Sequence, residues 1–492
     1  MLQLVFDLPS GAVRHWYLPS VVDATGAMHD LAAPAAQLFA LRGTLNGRTM
    51  VDWETQLGGW VVQAQTQNTM TLRLAHPNGS FIIDKHWQLD EEPWRATLKL
   101  AISTPELNNR QAADRLWLEL GPGIGEVPAQ GLGAAQNLYS FTEVVHRDSA
   151  GIHHLRLDGE STTAMSDWFG LNSRYFALIL NPANTLTRTL NWQTTLPEVP
   201  RWYPQHPAFE IRLAVDVPLP ATAEVEPTIY EWSIFGGGKS YAALTATEPN
   251  IGDLLFSGLW DWMRMLTLGI KYLLDAIYAV VGNWGLSIIL LAVLVRAVLH
   301  PIARNAIRAQ QHFVELQARI QPELNAIKKN YRGGEQSERI LQLYERHKMS
   351  PLAGLKPLVI VLLQLPIFIA LFHLLGQAFE ISTAPFLWIT TLAEPDKLLY
   401  LGVDLPLFGT YFNLLPVLMA MTTLLSIKLA STPTATQKAS QRQNFWFLGM
   451  GIVFFLLFYS FPSGMVLYWV TANLLQVVHQ KFISGAAQLQ SG

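Results

Sequence analysis

Residues 288–299 read Ile288-Ile289-Leu290-Leu291-Ala292-Val293-Leu294-Val295-Arg296-Ala297-Val298-Leu299, an apolar run broken by one arginine. With its flanks the run covers 283–303, enough to cross a bilayer, which takes about 20 residues. Four more apolar stretches follow, at 355–376, 409–428, 444–461 and 464–484. Together they predict five transmembrane helices. Only the turn around Pro462-Ser463-Gly464 separates the last two, so they form a tight hairpin. Pro366 and Pro416 fall inside spans, where neighbouring helices can satisfy the freed carbonyls.

Working outward, residues 1–250 have a different texture. Met70 to Leu74 and Phe81 to Leu89 flank Pro77-Asn78-Gly79, a strong hairpin signal. Trp94 to Ile102 and Leu116 to Leu120 alternate, and turn clusters recur at Gly121-Pro122-Gly123 and Gly131-Leu132-Gly133. Many short strands with frequent turns predict a β-sandwich over 1–240, ending near Gly236-Gly237-Gly238. Between the two regions, at 254–281, Met263, Leu266, Ile270, Leu273, Ile277 and Val281 recur at helical spacing. Arg264, Lys271 and Asp275 fall on another face, and Trp260 and Trp262 stand near the start. Such a helix lies in the membrane interface or packs on the β domain.

Of the 492 residues, 14% are charged, against about 25% in an average soluble protein. The net charge of −3 gives no sign of a nucleic-acid partner. The absence of cysteine excludes disulfides and cysteine–zinc sites.

Loop charges set the orientation. Residues 301–350 carry nine Lys or Arg against five acids, and 378–410 carry one Lys against four acids. Lys438 and Arg442 make the next loop basic. Basic loops stay in the cytoplasm, so the β domain lies outside. Export needs a signal, yet Met1-Leu2-Gln3-Leu4 opens directly into strand-like sequence; an N-terminal signal anchor is therefore expected to be missing from this sequence. The cytoplasmic loop predicts a helical hairpin at 304–348. Phe313, Leu316, Ile320, Leu324, Ile327 and Tyr331 step by three and four, Gly333-Gly334 breaks the run, and Ile340, Leu343, Tyr344 and His347 resume it. Its basic outer face is either simply solvated or a docking surface.

Arg296 has two readings. A cation deep in a span faces a hydrated interior, or it snorkels past Pro301, five residues or about 7–8 Å away. Polar residues elsewhere in the spans are Gln364, Asn413, Thr422, Thr423, Ser426, Thr471, Asn473 and Gln476. Each can serve as an interhelical hydrogen bond or line a groove. No second charge lies deep in a span, which fits a hydrated groove better than a proton relay. Phe368, Phe372, Tyr468 and Trp469 either pack helices or form an apolar slide beside that groove.

Several motifs appear in one order. Asn283-Trp284-Gly285-Leu286-Ser287-Ile288-Ile289 precedes Arg296 and Pro301. Pro351-Leu352-Ala353-Gly354 leads to Gln364-Leu365-Pro366-Ile367-Phe368. Ala384-Pro385-Phe386-Leu387-Trp388-Ile389 and Phe461-Pro462-Ser463-Gly464-Met465-Val466-Leu467-Tyr468 follow. This series, over about 280–484, resembles the core of the YidC/Oxa/Alb family of membrane-protein insertases. The resemblance implies an insertase and chaperone of the bacterial inner membrane, with a groove open to cytoplasm and lipid and closed outside. Its groove arginine maps onto Arg296. It implies nascent membrane proteins and the lipid bilayer as partners, with the Sec translocon and the ribosome beside them, and no cofactor. The N-terminal region resembles the periplasmic β-supersandwich of Gram-negative members, with Asp167-Trp168-Phe169 and Arg174-Tyr175-Phe176 as matching stretches. The fold expected is thus an α-helical membrane protein with five transmembrane helices and an N-terminal all-β supersandwich domain. The sequence departs from the family in lacking a first anchor and in placing Trp469 where many relatives have a second tyrosine. Its tail after Ser484 is also uncharged, which makes ribosome docking through the tail doubtful.

Two other classes compete with this reading. A secondary transporter or channel would bring repeats or paired midplane charges, and neither is present. An enzyme in the β domain would need a site. His146, His153 and His154 lack metal-ligand spacing, and the adjacent Glu91 and Glu92 point to opposite faces of an extended segment. No catalytic residue or metal ligand is expected.

Overall fold

The computed structural model describes residues 2–22, 27–32, 37–104, 114–120, 124, 143–155, 163–183, 189–194, 211–217, 226–247, 251–347, 356–405, 408–430, 449, 451–453 and 455–489. The turn clusters at 121–123 and 131–133, the motif at 351–354, Lys438, Arg442 and residues 444–448, 450 and 454 of the 444–461 stretch lie outside the described residues. The chain divides into two compact units, Met1–Gly258 with Gln377–Ser382, and Leu259–Gly376 with Thr383–Gly492.

Alternation builds the first unit. Along Arg95–Ser103, Ala96, Leu98, Leu100 and Ile102 fall on one face and are buried, because successive strand side chains point to opposite faces. This strand sits within a sheet of nine described strands. Their order is 151–155, 143–148, 168–172, 176–182, 228–238, 95–103, 82–89, 69–75, 61–65. A second sheet runs 163–165, 189–194, 211–217, 115–119, 40–45, 48–49, and a third joins 3–7, 12–22 and 28–30. Leu41, Leu116 and Leu118 of the second sheet share one core with Trp16 of the third and with Trp87 and Leu98 of the first. Sheets sharing an apolar interior in this way form a sandwich. The predicted hairpin is present: 69–75 pairs with 82–89, and Gly79 takes a φ of 72° at the turn. Helix α1 (Met50–Leu57) begins at Thr49, whose hydroxyl accepts the Asp52 N–H at 3.1 Å.

The Gly236-Gly237-Gly238 run closes the last described strand of this unit. The strand Thr228–Gly238 continues through all three glycines. A Cβ on Gly236 would lie 2.5 Å from the Trp16 ring, and one on Gly238 would lie 2.5 Å from the Phe379 ring. The glycines let aromatic rings lie directly on the strand, and Trp16 Nε1 donates to the Gly236 carbonyl at 3.1 Å.

Two lysines are buried in this unit. Lys85 donates to the carbonyls of Gly11 and Phe39, both at 2.8 Å, and lies over the Trp60 ring. Burial pulls its pKa down to about 7, opposed by the nearby Glu54 carboxylate. Lys239 donates to Asn172 Oδ1 at 3.0 Å, and burial pulls it down to about 8, with Glu143 opposing. The histidines noted in the sequence have structural partners. His154 bonds Glu143 and Ser257, His153 bonds Asp148, and His146 bonds Ser166. Glu91 and Glu92 are exposed, and Glu92 pairs with Arg95 at 2.8 Å. Helix α2 (Tyr241–Thr247) follows the last strand.

Helices build the second unit. Helix α3 (Asp261–Val281) buries Met263, Thr267, Ile270, Lys271 and Leu274. Lys271, assigned by periodicity to the charged face, thus lies in the buried stripe. Its ammonium is compensated by the Asp275 carboxylate at 2.8 Å. After the turn at Gly282, Tyr278 stacks on Trp284 with centroids 3.9 Å apart. Helix α4 then runs unbroken from Trp284 to Asn330. The expected span and the first arm of the expected hairpin are therefore one helix, with Pro301 and Pro322 inside it. Helix α5 (Gly333–Arg346) returns, and Leu343 packs with Ile320 and Leu324. Helices α6 (Lys356–Gln377), α7 (Leu414–Ala430) and α8 (Ser463–Leu489) complete the unit.

Among the described residues, Trp284–Pro301 is long and apolar enough to cross a membrane, with a mean hydropathy of 1.8. Gln364–Gln377, Leu414–Ser426 and Ser463–Val478 are shorter apolar helices. The third expected span is shortened at its start because 409–412 is the second strand of a hairpin with 399–405.

Candidate functional site

The sequence motifs converge at one end of the second unit. Asn283 caps α4, its Oδ1 accepting the Leu286 N–H at 3.0 Å. A Cβ on Gly285 would overlap the Phe386 ring at 2.1 Å, so the motifs at 283–289 and 384–389 are in direct contact. At the first turn of α8, the N–H groups of Ser463 and Gly464 donate to the Glu394 and Leu392 carbonyls at 2.7 and 2.8 Å. At the first turn of α7, the Leu414 and Leu415 N–H groups both donate to Asp396 Oδ2, at 2.8 and 3.0 Å. Trp388 Nε1 donates to the same oxygen at 3.1 Å. One loop, 391–397, therefore supplies acceptors for two helix N-termini, whose N–H groups have no partner within the helix.

Asn413 belongs to this same end. It was expected within the third span, but it stands one residue ahead of α7. Its Nδ2 donates to the Tyr459 carbonyl at 2.9 Å, and its Oδ1 accepts the Lys397 N–H at 3.0 Å.

Arg296 lies further along α4. Ser287, Ile288, Leu291 and Ala292 form the buried face of this helix, while Leu286, Leu290, Val293 and Val298 are exposed. Stepping four residues from Ile288 to Ala292 and again to Arg296 stays on the buried face. Arg296 is half-buried, within electrostatic reach of Tyr468 on α8. The Tyr468 hydroxyl is hydrogen-bonded to Gln364 of α6. Three helices thus bring Arg296, Gln364 and Tyr468 together. Arg296 comes nine residues after Ser287, placing this cluster about 13 Å along α4 from that end.

The other polar candidates divide. Asn473 Nδ2 donates to Thr423 Oγ1 at 2.8 Å, joining α8 to α7. The Thr423 and Thr471 hydroxyls donate to carbonyls one turn back, Met419 and Leu467. Gln476 is half-buried, one turn beyond Asn473.

The aromatic candidates form a cluster. The Phe368 ring meets Trp469 with centroids 5.2 Å apart and Phe372 at 6.3 Å. Phe458 lies 5.3 Å from Trp469, and Phe461 lies 5.7 Å from Phe372. Tyr468, grouped with these rings by sequence, is one position round the helix and joins the polar cluster instead. Phe458 and Asp396 were missed. Phe458 sits three residues before Phe461 and its spacing could have revealed it; Asp396 caps α7 from 18 residues away, which no local pattern signals.

The profile of a family described as 60Kd inner membrane protein matches residues 276–490. A membrane protein insertase YidC from Janthinobacterium sp. (strain Marseille) is 29% identical over 339 residues, covering 65% of this chain and 52% of that protein. Another from Polynucleobacter asymbioticus is 35% identical over 250 residues, covering 50% of this chain and 40% of that protein. The chain spans about half the length of the curated relatives it matches. The crystal structure of an active YidC insertase with its first transmembrane domain resolved aligns with 97% of this chain and 89% of its own. The identity there is 16% and the TM-score 0.37.

Proposed function

Residues 276–490 belong to the 60Kd inner membrane protein family, and from that premise we propose that the chain inserts and helps fold membrane proteins in the bacterial inner membrane. In this reading five helices cross the bilayer, the β domain lies in the periplasm, and the 304–348 hairpin lies in the cytoplasm. Nascent membrane proteins are the clients, taken alone or beside the Sec translocon, with the ribosome met at the cytoplasmic face. The outward exposure of α4 supports a lipid surroundings: only 28% of its 284–301 stretch is buried, whereas the core helix of a soluble protein would be mostly buried.

The observation that carries the mechanism is Arg296 continuing the buried face of α4 toward Tyr468 and Gln364. A cation held there, away from the closed end, attracts an acidic or polar flank of a client entering from the open side. A charge inside the membrane is tolerated when it faces a wet interior. The client's apolar segment then passes the Phe368, Phe372 and Trp469 rings into lipid, where its transfer is favourable. No covalent step is needed.

The test is insertion in cells depleted of their own insertase, with the chain placed behind an export signal. A small client with an acidic translocated tail is inserted by the parent and poorly by Arg296→Ala. Rescue by both forms would retain the insertase and reduce Arg296 to a snorkelling residue. Rescue by neither, with expression and orientation confirmed, would overturn the reading.

A further inference from the structure

The hairpin of residues 399–405 and 409–412 is apolar on its open surface. Leu399, Tyr400 and Val403 are 59%, 63% and 61% exposed, and Leu405 is also exposed. An isolated two-stranded ribbon is marginal in water. Its placement in the second unit limits what can cover it. Strand 409–412 ends one residue before α7, which fixes that end of the hairpin to the helix. The turn end is fixed as well. The Phe408 ring lies 4.8 Å from Tyr459 and 6.2 Å from Phe455, and Tyr459 Oη donates to the Tyr411 carbonyl at 3.1 Å. Phe455 and Tyr459 are four residues apart, about 6 Å along a helix. The ribbon therefore lies against the last turns of the helical segment before Phe461 and does not project into solvent.

Given the spanning arrangement proposed above, we infer that this hairpin is a lipid-contacting float, seated at the headgroup level of the outer leaflet beside α7. The chemistry of that layer matches the residues. Tyr400 and Tyr411 pair at 5.3 Å, and Lys397 lies 5.8 Å over the Tyr411 ring. Amphipathic aromatics with a nearby cation are interface anchors. Unpaired ribbon edges exclude the hydrocarbon interior, where nothing satisfies backbone N–H and C=O groups. Headgroups and their water supply those partners, while Leu399 and Val403 reach the upper acyl carbons.

The chain has no cysteine, so single labels are clean. Val403→Cys, Leu425→Cys on α7 and Ser337→Cys on α5 are each spin-labelled in the full chain. They are then reconstituted into vesicles of phosphatidylethanolamine and phosphatidylglycerol. Collision with oxygen reports lipid, and collision with a water-soluble nickel chelate reports solvent. The expected result is a residue 403 label open to oxygen and shielded from nickel, at shallower depth than residue 425, with residue 337 fully aqueous. A residue 403 label as open to nickel as residue 337 would put the ribbon in water and overturn the inference. Shielding from both reagents would mean that protein covers it, a second copy included, and would overturn it equally. A residue 425 label in water would remove the spanning arrangement itself, and the inference with it.

Discussion

The Phe368 and Trp469 rings stand perpendicular, at 90°, with centroids 5.2 Å apart, joining α6 to α8. Edge-to-face pairs add about 0.5–1.5 kcal/mol beyond the area they bury. Trp469→Phe keeps a ring at this position and should leave insertion near the parental level. Trp469→Ala opens the cluster between Phe368 and Phe458 and should cost on the order of 3 kcal/mol. Thermal unfolding of both variants in one detergent, alongside client insertion, checks this. Equal melting temperatures for the two would refute it.

Asp396 holds three N–H donors on one buried oxygen. Asp396→Ala leaves the Leu414, Leu415 and Trp388 donors without that acceptor, each worth about 1–3 kcal/mol when buried. Asp396→Asn retains an oxygen and should lose less. Hydrogen exchange at the first turn of α7 should rise sharply in the alanine variant and slightly in the asparagine variant. Unchanged exchange in both would show that the cap is dispensable.

Lys85 predicts a pH slope in the β domain. Folded, it releases its proton at about 7, against 10.5 as its ordinary value. Between those limits the unfolded chain holds more protons, so stability rises with pH across that window. Below about pH 7 both forms are protonated and the penalty is constant. Lys85→Met should flatten this slope. Denaturant midpoints at several pH values decide; a parental slope surviving in the methionine variant would assign it to another group.

Gly236→Ala places a methyl 2.5 Å from the Trp16 ring. The ring is buried and its Nε1 is bonded to the Gly236 carbonyl, so it cannot simply swing away. Overpacking of this kind costs about 1–3 kcal/mol. The companion change Gly258→Ala meets nothing within 4 Å and should be nearly silent. Comparable losses in both variants would contradict the packing argument.

Much of this architecture was legible in the sequence because it rests on local periodicity. The two-residue period of 95–103 and the Asn78-Gly79 turn gave the β unit, and the apolar run around Arg296 gave α4. The errors have physical causes. Lys271 falls off the apolar stripe by periodicity, which ignores the counterion four residues on that accompanies its burial. The Gly236 run marks the end of the strands, but its packing against Trp16 and Phe379 is not legible locally, because both rings lie more than a hundred residues away. The hairpin at 399–412 falls into a span and its loop in the sequence because its strands, Leu399–Leu405 and Gly409–Phe412, are short and mostly apolar, with no regular polar alternation. The polar candidates were found by type, but only tertiary structure separates Asn413, a joint beside the 391–397 loop, from Gln364 beside Tyr468.

The unbroken course of α4 sets a stand-off distance. From Pro301 to Asn330 is 29 residues, which at 1.5 Å each carries the Tyr331 turn about 40 Å past the end of the apolar stretch. Helix α5 braces only the far part of that rod, where Leu343 meets Ile320 and Leu324. In the spanning arrangement proposed above, whatever touches the tip does so at mast height above the bilayer, on the same continuous backbone that carries Arg296 at its foot.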